Sequence, residues 1–242
     1  MLKKLKDSEI HVWIYSLESL SKRSSIDYYM PFLSPDEKKR ADGFKFKKHK
    51  SSNIFSRGLL RERLSEYIGI KPEEIKFTYG KAGKPEIENS ADIKFNVSHS
   101  EDLVAIAFSS GCELGIDVEH MRNLNDLDSM IDYNFSDYEQ NSITECKDYE
   151  RKRMFFRFWA HKEAYIKATG VGLTYNMAAV EFTYINNSLK LYKVKGIEIE
   201  PDTWSVFELE LKSYSDYAGA LVVKNSNQIK NISFHLIIER FF

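Results

Sequence analysis

The chain has 242 residues, of which 43% are apolar and 14% aromatic, enough to bury a real core and too much for a disordered polymer. Lysine and arginine number 35 against 36 aspartate and glutamate, so no overall field of one sign draws the chain to nucleic acid or membrane. Two cysteines, Cys112 and Cys146, without C-x-x-C spacing exclude a disulfide framework and read as reduced thiols. At ~150 residues per domain the length suits one large domain or two small ones. Met1 to Asp7 carry lysines with no apolar run behind them, so no secretory signal is expected. No stretch approaches the ~18 apolar residues of a membrane span. A cytoplasmic protein is expected.

In chain order, Ile10–Ser16 alternates like a strand, and Ser34-Pro35-Asp36-Glu37 reads as a helix cap with proline in the first turn. Phe55, Leu59, Leu60 and Leu64 recur at helical spacing within a helix expected over Lys47–Tyr67, with Gly69 as its stop. Strands are expected at Glu74–Tyr79, Ile93–Ser98, Leu103–Phe108 and Glu113–Val118. Ser136 and Glu139 form a capping-box pattern, and Asp148–Thr169 carries a strong helical period ending at Gly170. Further strands are expected at Ala179–Tyr184, Leu189–Val194, Thr203–Leu211, Tyr217–Val223 and Ile232–Glu239, with a hairpin turn at Asn186-Asn187. Each half thus offers one long helix and a small, mainly antiparallel sheet. The expected fold is α+β, with two pseudo-symmetric lobes over residues 1–109 and 110–242 and a site in the cleft between them.

Gly115-Ile116-Asp117-Val118-Glu119 places two carboxylates two apart on a strand, hence on one face, with Ile116 and Val118 on the other. Like charges so close call for a cation or protons, and carboxylates plus substrate phosphates are the usual setting of Mg²⁺. A solvent-facing strand edge accounts for the same spacing. On the second long helix Trp159, Glu163 and Lys167 recur every four residues, on one face. A third carboxylate and a lysine facing the Asp117/Glu119 strand would suit phosphoryl transfer; an exposed ion pair is the plainer reading.

Phe95-Asn96-Val97-Ser98-His99-Ser100 ends a strand in hydrogen-bonding groups suited to phosphate oxygens, or to an ordinary turn. Gly80-Lys81-Ala82-Gly83-Lys84-Pro85 is a weakly phosphate-like loop that lacks P-loop spacing. Between Lys38 and Arg61 nine lysines and arginines meet a single acid, Asp42, a local charge suited to a polyanionic ligand or acidic partner as well as to a solvated helix face.

Three segments together, Phe95–Ser100, Gly115–Glu119 and Trp159–Lys167 followed by Gly170, resemble the Sfp-type 4′-phosphopantetheinyl transferases. The resemblance runs from about Ser34-Pro35, through Gly83-Lys84-Pro85, to roughly Leu173. It implies Mg²⁺-dependent transfer of the phosphopantetheine arm of coenzyme A to a serine of an acyl or peptidyl carrier protein, by a monomer with coenzyme A between its lobes. The carrier could belong to fatty-acid, polyketide or non-ribosomal peptide synthesis. By the same resemblance Asp117, Glu119 and Glu163 would hold the metal. Lys167 and His99 would meet the pyrophosphate, Ser98 and Lys84 would line the coenzyme A site, and Arg40 would take the 3′-phosphate. Glu139 matches a glutamate proposed as general base in the family, with the capping box as its competing role and Glu163 as the competing base. Another metal-dependent phosphodiester enzyme, or a non-catalytic carrier-binding module, would share parts of this pattern.

Overall fold

Two glycines with left-handed backbone, Gly69 (φ 71°) and Gly170 (φ 66°), each end a 22-residue helix. An L-residue pays sterically for that conformation and glycine does not, so both helices stop where the sequence places them. The computed structural model describes residues 3, 5, 9–88, 92–172, 175–200 and 202–225, and the backbone of 233–239. Leu173 and Ile232 lie outside these residues.

The first half runs β1 (Glu9–Ser16), α1 (Leu17–Ser21), α2 (Ile26–Tyr29), α3 (Pro35–Asp42), α4 (Lys47–Ile68), β2 (Phe77–Tyr79), β3 (Pro85–Ile87), β4 (Ile93–Ser100) and β5 (Leu103–Ser110). The second half runs β6 (Leu114–His120), α5 (Leu127–Asn134), α6 (Asp137–Thr144), α7 (Asp148–Thr169), β7 (Val180–Ile185), β8 (Ser188–Val194), β9 (Ile197–Glu198), β10 (Trp204–Glu208), β11 (Tyr217–Lys224) and β12 (Ser233–Glu239). The expected strand at Glu74–Tyr79 shortens to β2, because Pro72–Glu74 form a 3₁₀ turn. The expected strand at Thr203–Leu211 is regular only over β10.

The fold is α+β, and its halves repeat one plan. The first sheet has the order β12-β1-β5-β4 and the second β10-β11-β6, so β1, β5 and β4 correspond to β6, β11 and β10. The hairpins β2-β3 and β7-β8 also correspond. Helices α3 and α6 each have eight residues and a capping box, Ser34 with Glu37 and Ser136 with Glu139. Counted back from the terminal glycine, Arg61 on α4 and Lys162 on α7 occupy the same place, and each pairs with its capping-box glutamate, Glu37 at 2.7 Å and Glu139 at 2.6 Å. The lobes are not contiguous segments, however. Strand β12 pairs in parallel with β1, Glu9 opposite Ser233 through Tyr15 opposite Glu239, so the expected 110–242 boundary is corrected: residues 233–239 return to the first sheet.

Strand alternation divides the core three ways. Trp13, Tyr15, Val104, Ile106 and Phe108 pack beneath α4. Ala218, Ala220 and Val222 pack beneath α7. The opposite faces of the two sheets meet each other through Ile10, Val12, Ile14, Ala105, Ala107, Leu114, Ile116, Val118, Leu221 and Val223. No helix among the described residues is long and apolar enough to cross a membrane.

Candidate functional site

Strand β6 lies directly on α7 because Gly115 has no side chain. A Cβ there would fall on the Ala164 carbonyl oxygen and the Ala168 amide nitrogen. The contact draws the other residues of that strand face, Asp117 and Glu119, up to Glu163 and Lys167. Gly115→Ala should therefore force β6 from the helix. Overpacking of this kind costs ~1–3 kcal/mol, and the measurements are urea unfolding together with turnover. Wild-type stability in the variant would show that the close approach is not needed.

Asp117 is 2% exposed. Its Oδ1 accepts from Ser98 Oγ at 2.8 Å and from Lys167 Nζ at 2.5 Å, while its buried Oδ2 has no partner among the described residues. Burial pushes its carboxyl up, against the pull of Lys167. Glu119 accepts from Ser100 Oγ at 3.0 Å and is pushed up to about 7, first by burial and then by the Asp117 charge. Glu163, 8% exposed, is raised for the same two reasons and has no hydrogen-bond partner among the described residues. No three of the described acid, histidine or cysteine side chains stand at preformed metal-ligand spacing. Even so, an aspartate that raises both neighbouring glutamates and an orphaned carboxylate oxygen fit a divalent cation, which would add to the positive charge that Lys167 brings to the cluster.

These raised values fix a pH dependence. An acid whose pKa is higher folded than unfolded binds more protons in the native state, so stability falls as pH rises between the two values. Chelator-treated protein should lose thermal stability from about pH 4.5 toward about 7, and Glu119→Gln should flatten the slope. A flat profile in the wild type would contradict this.

Lys167, at the edge of the cluster with 26% of its side chain exposed, also reaches Ser98 Oγ at 3.0 Å. His99 is exposed on β4, within reach of the Lys167 charge. Burial, then Lys167, then Arg57 hold its pKa below the usual histidine value, so it is neutral at pH 7. Arg57 at this point belongs to the basic stretch, but nothing in its spacing singled it out. Arg40 is exposed on α3. Lys84 and Ser98 are committed inside the protein. Lys84 Nζ donates to Glu113 Oε2, Leu114 O and Ala168 O, each at 3.2 Å, which uses its three protons and ties the β2-β3 loop to the end of α7. The Ser98 hydroxyl donates to Asp117 and accepts from Val118 N at 3.3 Å and from Lys167, which fills its capacity.

Two family models tile the chain: "4′-phosphopantetheinyl transferase, N-terminal" over residues 21–111 and "4′-phosphopantetheinyl transferase superfamily" over residues 113–222. The 4′-phosphopantetheinyl transferase HetI of a Nostoc species is 35% identical over 172 residues, covering 70% of this chain and 72% of that protein. The chain belongs to the 4′-phosphopantetheinyl transferase family. It is also 27% identical over 205 residues to the L-aminoadipate-semialdehyde dehydrogenase-phosphopantetheinyl transferase of Xenopus laevis, covering 78% of this chain and 68% of that one. The 4′-phosphopantetheinyl transferase psf-1 of Bacillus pumilus is 28% identical over 168 residues, covering 69% and 71%.

Within this phosphopantetheinyl transferase one expected residue is placed elsewhere. Glu139 is 0% exposed and its oxygens are engaged by Ser136 N at 2.9 Å, Phe182 N at 2.9 Å and Lys162 Nζ at 2.6 Å. Lys162 in turn donates to Asn134 O, Met177 O and Val180 O. The general-base expectation for Glu139 is corrected on that ground: a base must reach the proton it takes, and this carboxylate is sealed within the second lobe. His161, the motif's other polar residue, is buried and pushed down to about 4, with Nδ1 at 2.7 Å from Arg157 O; it is neutral and structural.

Proposed function

We propose that this transferase moves the 4′-phosphopantetheine arm of coenzyme A onto a serine of an apo acyl or peptidyl carrier protein, with Mg²⁺ held by Asp117, Glu119 and Glu163. The observation that carries the reading is the buried Asp117 Oδ2, unpartnered among the described residues, beside two further acids and the Lys167 ammonium. Mg²⁺ in that setting would neutralise the pyrophosphate and ease attack on it. The chain's own residues account for the rest. Glu163, raised and without a hydrogen-bond partner among the described residues, takes the carrier serine's proton as the serine oxygen bonds to the phosphorus bearing the pantetheine arm. The bond from that phosphorus to the adenylate-side phosphate breaks, releasing adenosine 3′,5′-bisphosphate. Lys167 answers the charge that develops on the departing phosphate, and neutral His99 donates a hydrogen bond to the pyrophosphate. Intact-mass analysis of apo carriers incubated with the protein, coenzyme A and Mg²⁺ tests the reading. Absence of a phosphopantetheine-sized gain on every carrier would end it.

Arg40 is the proposed contact for the 3′-phosphate. Arg40→Ala should raise the KM for coenzyme A several-fold and leave 3′-dephospho-coenzyme A nearly unaffected, because only the former carries that dianion. Equal impairment of both donors would remove Arg40 from the site. Lys39, Lys45, Lys47 and Lys48 around it are exposed and suit an acidic carrier protein, approached by a monomer.

A further inference from the structure

Strand β4 touches β6 in an unusual way. Its backbone pairs with β5, yet its even-numbered side chains take the place of a neighbouring strand for β6. Asn96 Oδ1 accepts from Ile116 N at 2.9 Å, Ser98 Oγ from Val118 N at 3.3 Å and Ser100 Oγ from His120 N at 3.1 Å. These three N–H groups point away from β11, the backbone partner of β6 on its other edge. The period of two on both strands keeps the register constant from rung to rung. Two rungs do a second thing: Ser98 Oγ donates to Asp117 Oδ1 at 2.8 Å, and Ser100 Oγ donates to Glu119 Oε2 at 3.0 Å.

We infer that Ser98 and Ser100 are positioning residues for the metal carboxylates, and that the Asn96-Ser98-Ser100 ladder sets the register of the metal strand against the first sheet. The inference rests on the metal reading above and gives Ser98 a different task from a coenzyme A contact. A hydroxyl that accepts from the backbone N–H and donates to a carboxylate one residue away fixes the side chain relative to its own strand. Without it Asp117 Oδ1 keeps, among the described residues, only Lys167, a long and partly exposed partner. The ladder also crosses from one sheet to the other, so the first lobe fixes the acids carried by the second. Outer hydrogen bonds of this kind orient the ligands of metal sites, and their loss typically weakens metal binding ~10–100-fold.

The test compares wild type, Ser98→Ala, Ser98→Thr and Ser100→Ala. Direct Mn²⁺ binding is followed by the paramagnetic signal of the free ion, and turnover of an apo carrier is titrated separately in Mg²⁺ and in coenzyme A. Ser98→Ala should weaken Mn²⁺ binding ~10–100-fold and raise the apparent Mg²⁺ constant in step, with the coenzyme A KM at saturating Mg²⁺ close to wild type. Ser100→Ala should do the same to a smaller degree, and Ser98→Thr, which keeps the hydroxyl, should recover most of the loss. Should Ser98→Ala fail to fold, Ser100→Ala decides by the same criteria. Unchanged Mn²⁺ binding in a folded alanine variant, or a raised coenzyme A KM with metal affinity intact, overturns the proposal. If wild type neither binds Mn²⁺ nor needs a divalent ion for turnover, the metal reading falls first and the inference falls with it.

Discussion

Asp117→Asn should abolish turnover by roughly three orders of magnitude or more and leave the midpoint of unfolding nearly where it was. The substitution keeps the size of the side chain and an oxygen for Ser98 and Lys167, but removes the charge that a divalent cation needs. Its neighbour gives the opposite result. Ile116 is 0% exposed, on the face of β6 that packs between the two sheets. Ile116→Ala should cost ~2–5 kcal/mol in unfolding free energy while the folded fraction keeps most of its kcat. Strand geometry alone separates the two, since adjacent residues face opposite ways. Chemical denaturation and initial rates on the same preparations check both. Similar losses of stability and rate in the two variants would break the assignment of faces, and normal rates in Asp117→Asn would take this acid out of the proposed metal site.

That division of faces was legible from Gly115-Ile116-Asp117-Val118-Glu119 because period-two alternation is a local property. The long helices were legible for a related reason: α7 runs Asp148–Thr169 as expected and α4 ends one residue later than expected, each closed by a left-handed glycine. What escaped was non-local. Nothing in Asn96, Ser98 and Ser100 announces that their partners are backbone amides some twenty residues on, in another sheet. Ser98 reads equally well as a phosphate donor until its three partners are seen. Gly115 has no role in the sequence reading beyond its place in that segment, and in the structure it is the point where β6 and α7 touch. The return of β12 to β1 was equally invisible, since a strand's pattern does not name its neighbour. The burial of Lys162 has no signal in the sequence, because a lysine within a helix is ordinarily solvated, and here it is 0% exposed.

The two halves meet the same structural need with different residues. Both bury a capping-box glutamate against a cation on the long helix. In the first half that cation is Arg61, which also donates to Pro72 O at 2.8 Å and Ile75 O at 2.9 Å. In the second it is Lys162, with its three carbonyls. One residue further along, the halves diverge in use. Glu62 on α4 accepts from Tyr28 and Arg63 on the surface of the first lobe, whereas Glu163 on α7 faces the acid cluster. The repeat therefore carries the architecture, and the acid cluster sits on the second copy with support from β4 of the first.

This symmetry makes Glu139→Gln the sharpest test of what that glutamate does. If it were the base, the variant would fold normally and fail to turn over. The structure predicts the reverse. Burial pushes Glu139 up and Lys162 down, so the pair holds its charges only through mutual contact and the carbonyls around the ammonium. Neutralising one member strands the other, at a cost of ~3–5 kcal/mol, which should appear as a large drop in the unfolding midpoint. The fraction that remains folded should keep its kcat and its Mg²⁺ constant, because Glu139 does not touch the acids on β6. The coupled variant Glu139→Gln/Lys162→Met should be less destabilised than the two single losses add up to, since it leaves no charge unpaired. The decisive comparison is kcat per folded molecule at a temperature where Glu139→Gln is still native. A loss of a hundredfold or more there, with stability unchanged, would return Glu139 to the reaction and make Glu163 a metal ligand only.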